Sequence, residues 1–352
     1  MSLALALTAC GGPGQGGEAA EADLNALSVE QLAAGAVEEG EVSWFTTMYP
    51  TETTHAVADA FMKKYPEITV NVERASTNEV WQKLATGMQA GSSPAGVYST
   101  TQIEFIDNGR EAGFLDCYLP QAAEDLDPQF TDPDGCWFSS RTSTFTIVYN
   151  TDKVAPDEVP QTYEDLTDPR WKGKVGLLDP ALSNNAFSSY FTVSGVLGNG
   201  RWQDSSEFWQ RMGANQPVLY PQGGPLINGI VSGEIEVGWV FDYRGWQFAS
   251  EGAPVGVVNP KLGVVPNSDF TALVADTDQP HAARLFLNFL ASSEAMEFGA
   301  KDAYYYSVRP EIAAVPDQRP ALADLTLLQP DFAEQRREKE AFNAMFGEKV
   351  AP

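Results

Sequence analysis

Two histidines, three cysteines and 48 acidic side chains are the groups of this chain that could do acid–base, metal or thiol chemistry. None is spaced for catalysis. There is no HExxH pair to hold a hydrolytic metal, no GxSxG nucleophile turn and no phosphate-cradling P-loop. Nor is there a GxGxxG followed by a suitable acidic residue. The carboxylates are numerous enough to contain a glycosidase-like pair, but no flanking pattern singles one out. His55 and His281 fall in segments with helical patterning, where they read as surface residues. The expectation is a binder, with no catalytic residue, no cofactor and no metal of its own.

Charge narrows the partners. The 22 basic residues leave a net charge of −26, and Lys and Arg are scattered. Without a basic patch, such a surface repels nucleic acid and anionic headgroups. Apolar residues make up 43% and aromatics 11% of 352 residues, enough for the cores of about two domains. No run of about 18 apolar residues is present to span a membrane.

The first residues carry a covalent signal. Leu3–Leu7 is a short apolar run, and Leu7-Thr8-Ala9-Cys10 resembles the lipobox of bacterial lipoproteins, where a peptidase cuts before the cysteine and its thiol is acylated. No Lys or Arg precedes it, and the apolar stretch is shorter than a normal signal peptide. Residues 1–10 are expected to be a signal remnant ending in a lipidated Cys10. Residues 11–40, opening with GGPGQGG, are expected to be a flexible tether. With Cys10 set aside, Cys117 and Cys136 remain. In an exported protein they read as one disulfide, with two buried free thiols as the alternative. A ring of that size contributes on the order of 3 kcal/mol.

The rest of the chain supplies scaffolding. Val42–Phe45 and Ile68–Val72 read as strands, and 78–90 and 54–65 as helices with apolar residues at helical spacing. GSSPAGVYS leads into a third strand ending near Ser99. Alternating strands and helices imply a parallel sheet with crossover helices. A second unit has strands at 144–149, 175–178 and 233–240, with helices near 183–196, 205–212 and 225–232. Helices at 282–290 and 293–300 follow. No Gly/Pro linker divides the units, so the chain is expected to cross between two α/β lobes more than once.

The order of these segments resembles the extracellular solute-binding proteins of ABC importers, in the cluster that takes ferric iron, phosphonates and sugar phosphates. The resemblance spans residues 41–345. It is carried by Ala56–Phe61, Pro94–Tyr98, Ile147–Thr151, Asp168–Gly176, Ile230–Ile235 and Tyr306–Pro310. It implies a type II periplasmic-binding-protein fold, two lobes closing on ligand like a trap. Lobe one is expected at 41–142 plus 259–308, and lobe two at 143–258 plus 309–352. Hinges are expected near Thr142–Thr144 and Val257–Asn259. A monomer is expected, with a permease and ATPase as partners and a position outside the cell membrane or in the periplasm.

The site residues follow from the same resemblance. Ferric-binding members place a His in the loop after the first strand, where this chain has Met48-Tyr49-Pro50, and a Glu after the third, where it has Thr100-Thr101-Gln102. Their Tyr–Tyr pair becomes Tyr243-Arg244 here. Arg beside a ferric site is repulsive, so the residues favour an oxyanion. Ser183, Asn184, Asn185 and Ala186 occupy the place of the family's anion-binding loop, where a helix N-terminus offers backbone N–H groups. Arg244 is expected to clamp the anion, with an ion pair to Asp242 as the alternative. Thr46, Thr47, Thr100 and Thr101 would line the other lobe, and Tyr49 and Trp246 would stack on an organic portion or serve as core. The expected ligand is a phosphonate, a phosphate ester or a similar small anion. Two alternatives stand beside it. One is ferric iron, free or chelated, with Tyr243 as a ligand; the other is a glycan-active or adhesion lipoprotein.

Overall fold

A computed structural model describes residues 23–350. Cys10 and the glycine-rich stretch after it lie outside the described residues.

The strands, in chain order, are β1 (Glu41–Thr46), β2 (Thr69–Arg74), β3 (Val97–Thr100), β4 (Leu115–Asp116), β5 (Arg141–Asn150), β6 (Val175–Leu178), β7 (Val218–Tyr220), β8 (Val237–Phe241), β9 (Val255–Val258), β10 (Val265–Ser268), β11 (Phe270–Val274) and β12 (Tyr306–Ser307). They form two sheets. The first has the order β2-β1-β3-β11-β4, with β1 parallel to β2 and β3, and β11 antiparallel to β3 and β4. The second runs β10-β5-β8-β6-β7, with β9 and β12 also paired to β5. This is the two-lobed α/β architecture of periplasmic binding proteins.

Each sheet is covered by helices whose apolar stripe the sequence supplies. In lobe one, Trp44 of β1 meets Phe286 at 5.2 Å, and Phe286 meets Phe61 at 4.9 Å, both edge to face. In lobe two, Trp239 of β8 lies between Tyr163 at 4.2 Å and Tyr190 at 4.6 Å, and parallel to Trp209. These rings are fully or nearly fully buried, and each contributes roughly 1.5–3 kcal/mol of burial. The Cys117 and Cys136 sulfurs are joined, closing the Asp-rich excursion between β4 and β5.

The structure corrects two expectations about organisation. Residues 11–40 are not all tether. Ser28 and Gln31 form a capping box that starts a helix over Val29–Glu39, and Gly40, at φ 75°, ends it. Leu32 and Ala36 are buried by this helix against Pro280–Leu290. Its last residue also acts as a cap. Glu39 accepts hydrogen bonds from the His281 and Ala282 N–H groups at 3.0 and 2.8 Å, at the start of a helix that has no side-chain cap of its own. A side chain at Gly35 would fall 2.4 Å from the His281 ring, so this close docking needs the glycine.

The second correction concerns lobe boundaries. The chain enters lobe two along Arg141–Thr144, but residues 259–268 stay with it, because β10 pairs with β5. The return falls between Ser268 and Phe270, not at Val257–Asn259. Residues 309–331 were expected in lobe two, yet Ile312, Leu322 and Leu327 pack on the lobe-one core. The closing helix Phe332–Val350 does belong to lobe two, burying Phe342 and Phe346 there.

Candidate functional site

β1, β2 and β3 point their carboxyl ends toward the other lobe, and β6, β7 and β8 point theirs back. The space between is the crevice where α/β sheets hold ligands. Within it lie two chambers of about 270 and 240 Å³ that share Thr101, Asn185 and Phe241. Among the described residues, no Asp, Glu or His lines either chamber.

The first chamber is cationic and aromatic. Thr47, Tyr49, Arg74, Thr101, Arg141, Asn185, Tyr243, Arg244, Asn267 and Tyr305 all contribute to its wall. Arg141 opens β5, the strand that crosses between lobes. Only 2% exposed, its guanidinium lies 4.1 Å from the Tyr305 ring centre. Nη2 donates to the Met48 carbonyl at 2.6 Å, while Nε and Nη1 are buried with no partner among the described residues. Arg74 is tied by Nε to the Tyr49 carbonyl at 2.7 Å. Arg244 donates to Gln247 at 3.0 Å and lies 5.2 Å from the Tyr243 ring.

Three tyrosines complete this chamber. Tyr243 and Tyr305 face each other at 4.6 Å between centres, and Tyr49 is 6.0 Å from Tyr305. Burial raises the Tyr305 hydroxyl far above the ordinary phenol range; Tyr243 adds to this and Arg141 opposes it. Burial raises Tyr49 in the same sense, with Asp269 adding to it. Gly299 makes room for Tyr49, since a Cβ there would sit 2.6 Å from the ring.

The second chamber is neutral. Ser183, Asn184, Asn185, Gln102, Gln222 and Gly223 line it beside Thr77, Thr101 and Phe241. Two helices, Asn184–Leu197 and Gly223–Ser232, begin on it. Ser183 caps the first by accepting from the Ala186 N–H at 3.3 Å. Asn184 is already engaged. It donates to Gln102 of the opposite lobe at 3.0 Å and accepts from Lys339 at 2.6 Å. Arg336 pairs with Asp107 across the same edge of the cleft. The lobes are therefore in direct contact.

Of the residues expected at the site, Thr47, Tyr49, Thr101, Ser183, Asn184, Asn185, Tyr243 and Arg244 line the two chambers. Thr46, Thr100, Ala186, Asp242 and Trp246 do not. Thr46 and Thr100 turn inward and accept from the Met48 and Gln102 N–H groups. Ala186 is buried beneath the loop it was expected to serve. Trp246 lies about one turn beyond Tyr243 along its helix, with its indole N–H buried and without a partner among the described residues. The alternative of an Arg244–Asp242 ion pair is overturned. Asp242 is fully buried, pairs with Arg319 at 2.6 Å and accepts from the Thr144 N–H at 2.8 Å.

Arg74, Arg141, Asn267 and Tyr305 were missed. Local signals stood beside two of the four, Arg141 and Tyr305. Ser139–Thr144 is a run of polar residues at the mouth of an otherwise buried strand, and Tyr304-Tyr305-Tyr306 is a run of three aromatics where one face alone can be core.

Two lobes, linked by crossing strands and opening a cleft at their strand ends, define a solute-binding protein. The chain belongs to the bacterial extracellular solute-binding protein family, whose pattern matches residues 56–325. It is 27% identical over 263 residues to iron uptake protein A1 of Synechocystis sp., a match covering 71% of this chain and 70% of that one. Iron-bound HitA from Pseudomonas aeruginosa superimposes with a TM-score of 0.72 at 18% identity, covering 87% of this chain and 99% of its own. AfuA from Actinobacillus pleuropneumoniae, with fructose-6-phosphate bound, does so with a TM-score of 0.72 at 19% identity, covering 89% and 99%. The protein is thus the substrate-binding component of an ABC importer and not an enzyme. Its partners are a small ligand and the importer's permease and ATPase.

Proposed function

We propose that the cleft captures a small organic oxyanion, such as a phosphonate or phosphate ester, and delivers it to the importer. One observation carries this reading. The buried guanidinium of Arg141 keeps two nitrogens, Nε and Nη1, without a partner among the described residues; the buried Asp269 carboxylate attracts its charge but accepts its backbone N–H at 2.9 Å. Buried donors without a partner are costly, and a bidentate anion supplies what is missing. Arg74 and Arg244 add positive charge to the same chamber, and Thr47, Thr101 and Asn185 add neutral donors or acceptors. The second, uncharged chamber suits the remainder of the molecule.

A ferric reading has its own observation, the cluster of Tyr49, Tyr243 and Tyr305, and the likeness to an iron uptake protein and to iron-bound HitA supports it. A bare ferric ion would have to ionise Tyr49 and Tyr305, whose burial holds them protonated, beside three arginines and with no carboxylate lining the chamber among the described residues. Iron carried as an anionic chelate meets both the tyrosines and the arginines. Acylation of Cys10, holding the protein at the outer face of the membrane, completes the proposal.

A thermal-shift screen of phosphonates, sugar phosphates, carboxylates, Fe³⁺ and ferric chelates tests it. The expected result is a rise with one phosphonate or phosphate ester and no visible tyrosine-to-iron absorption with Fe³⁺ alone. A ligand at 100 times its dissociation constant adds about 2.7 kcal/mol. A stoichiometric coloured complex with Fe³⁺ alone, persisting in Arg244→Ala, would overturn the anion reading in favour of iron bound by Tyr243.

A further inference from the structure

Arg319 lies outside the cleft lining, in the excursion between β12 and the last helix, and its side chain is fully buried. Its guanidinium joins segments that each carry a cleft tyrosine. Nη2 meets Asp242 at 2.6 Å, the first residue of the helix whose second residue is Tyr243. The other carboxylate oxygen of Asp242 accepts the Thr144 N–H, on the crossing strand three residues from Arg141. Nη1 donates to the Tyr304 carbonyl at 2.6 Å, one residue before Tyr305.

The Tyr304 contact has a backbone reason. Tyr304 adopts φ 57°, the left-handed region that a residue with a Cβ rarely enters. It ends the helix Ser293–Ala303 and reverses the chain, and the Tyr305 N–H returns to the Gly299 carbonyl at 3.1 Å. That reversal sends Tyr305 into the cleft. Tyr306 goes the other way, and its ring lies 3.5 Å under the Arg319 guanidinium. One planar fork thus holds the turn that aims Tyr305, the helix start that aims Tyr243 and, through Asp242, the crossing strand.

We propose that Arg319 is the positioning residue for the two facing tyrosines of the ligand cleft, acting through Asp242 and the Tyr304 carbonyl. The inference holds for either ligand reading, because it concerns where the rings stand and not what they touch.

The test needs no ligand. The protein is labelled with 3-fluorotyrosine and observed by fluorine NMR, with Tyr243→Phe, Tyr305→Phe, Tyr163→Phe and Tyr190→Phe assigning the resonances. In Arg319→Met the Tyr243 and Tyr305 resonances are expected to shift or broaden, while Tyr163 and Tyr190, in the lobe-two core, stay in place. Arg319→Lys, which keeps the charge on Asp242 but loses the fork, is expected to restore Tyr243 and leave Tyr305 displaced. Should Arg319→Met not fold, Arg319→Lys and Asp242→Asn are read in the same way. Unmoved Tyr243 and Tyr305 resonances in the folded variants would overturn the proposal. So would shifts spread evenly over all tyrosines, the mark of a merely structural residue.

Discussion

Arg141 and Arg319 are two buried arginines in closely similar settings that are satisfied in opposite ways. They are 2% and 3% exposed, and each guanidinium lies against a tyrosine ring, Tyr305 and Tyr306 respectively. Each also donates to a main-chain carbonyl at 2.6 Å. The Arg319 guanidinium donates to the Asp242 carboxylate and leaves only Nε unpartnered; the Arg141 guanidinium donates to no carboxylate, Asp269 taking its backbone N–H instead, and leaves Nε and Nη1 unpartnered among the described residues. A buried cation that finds its anion within the chain holds the fold together. Under the proposed function, one that keeps two nitrogens unpartnered at the cleft wall takes an anion that arrives from outside. Arg141 is the first residue of the crossing strand and Arg319 reaches that strand through Asp242 and the Thr144 N–H, so one strand carries both a cleft arginine and the anchor of a structural one.

The largest test of this contrast is Arg319→Met. Leaving Asp242 buried and unpaired is expected to lower the unfolding free energy by about 3–5 kcal/mol, read from urea denaturation. Arg141→Met is the opposite case. The ligand-free protein should lose less stability than in Arg319→Met, because Asp269 keeps the Ser140 and residue-141 N–H groups, while affinity for the anion identified by the thermal-shift screen falls by about 2–5 kcal/mol in calorimetry. Destabilisation of the empty protein on the scale of Arg319→Met would erase the distinction. Arg244→Ala sharpens it from a half-buried position. Because Gln247 already holds its Nη1 at 3.0 Å, the expected loss of affinity is about 1.5–3 kcal/mol, that of a hydrogen bond to a charged group. The smallest effect belongs to Asp107→Asn. The Arg336–Asp107 pair spans the lobes but is largely solvated, so stability should fall by less than about 1 kcal/mol, a difference that vanishes in high salt.

The strands and helices were legible because their signals are local. Val42, Trp44 and Thr46 alternate into a core, and the helix over Thr51–Lys64 buries Val57 and Phe61 at helical spacing. The part of the cleft wall formed by Thr47, Tyr49 and Thr101 came instead from the family resemblance, which places ligand residues in the loops after the first and third strands. Asp242 was misread because its partner lies 77 residues further along, and nothing near either residue announces the pair. Arg141 escaped notice for the related reason that its function rests on a missing neighbour, and only the packed structure shows which neighbours are missing. The helix over Val29–Glu39 was read as tether because its own periodicity is weak. The apolar surface of Pro280–Leu290 and the capping role of Glu39 hold it in place.

The strand order of the first sheet also governs how the protein comes to be folded. β11 lies between β3 and β4, so Leu273 pairs with both Val97 and Asp116. Until the chain is made as far as Val274, lobe one is two fragments of sheet with exposed inner edges, and the helix that Glu39 caps does not yet exist. Closing so long a loop before its contacts can stabilise it is slow. Exposed edges in the interval invite pairing with other chains. The discontinuous lobe therefore makes the last third of the chain rate-setting for the first. In a pulse-labelled exchange experiment, protection of the β3 amides should appear together with that of β11, after the β6–β8 strands of lobe two.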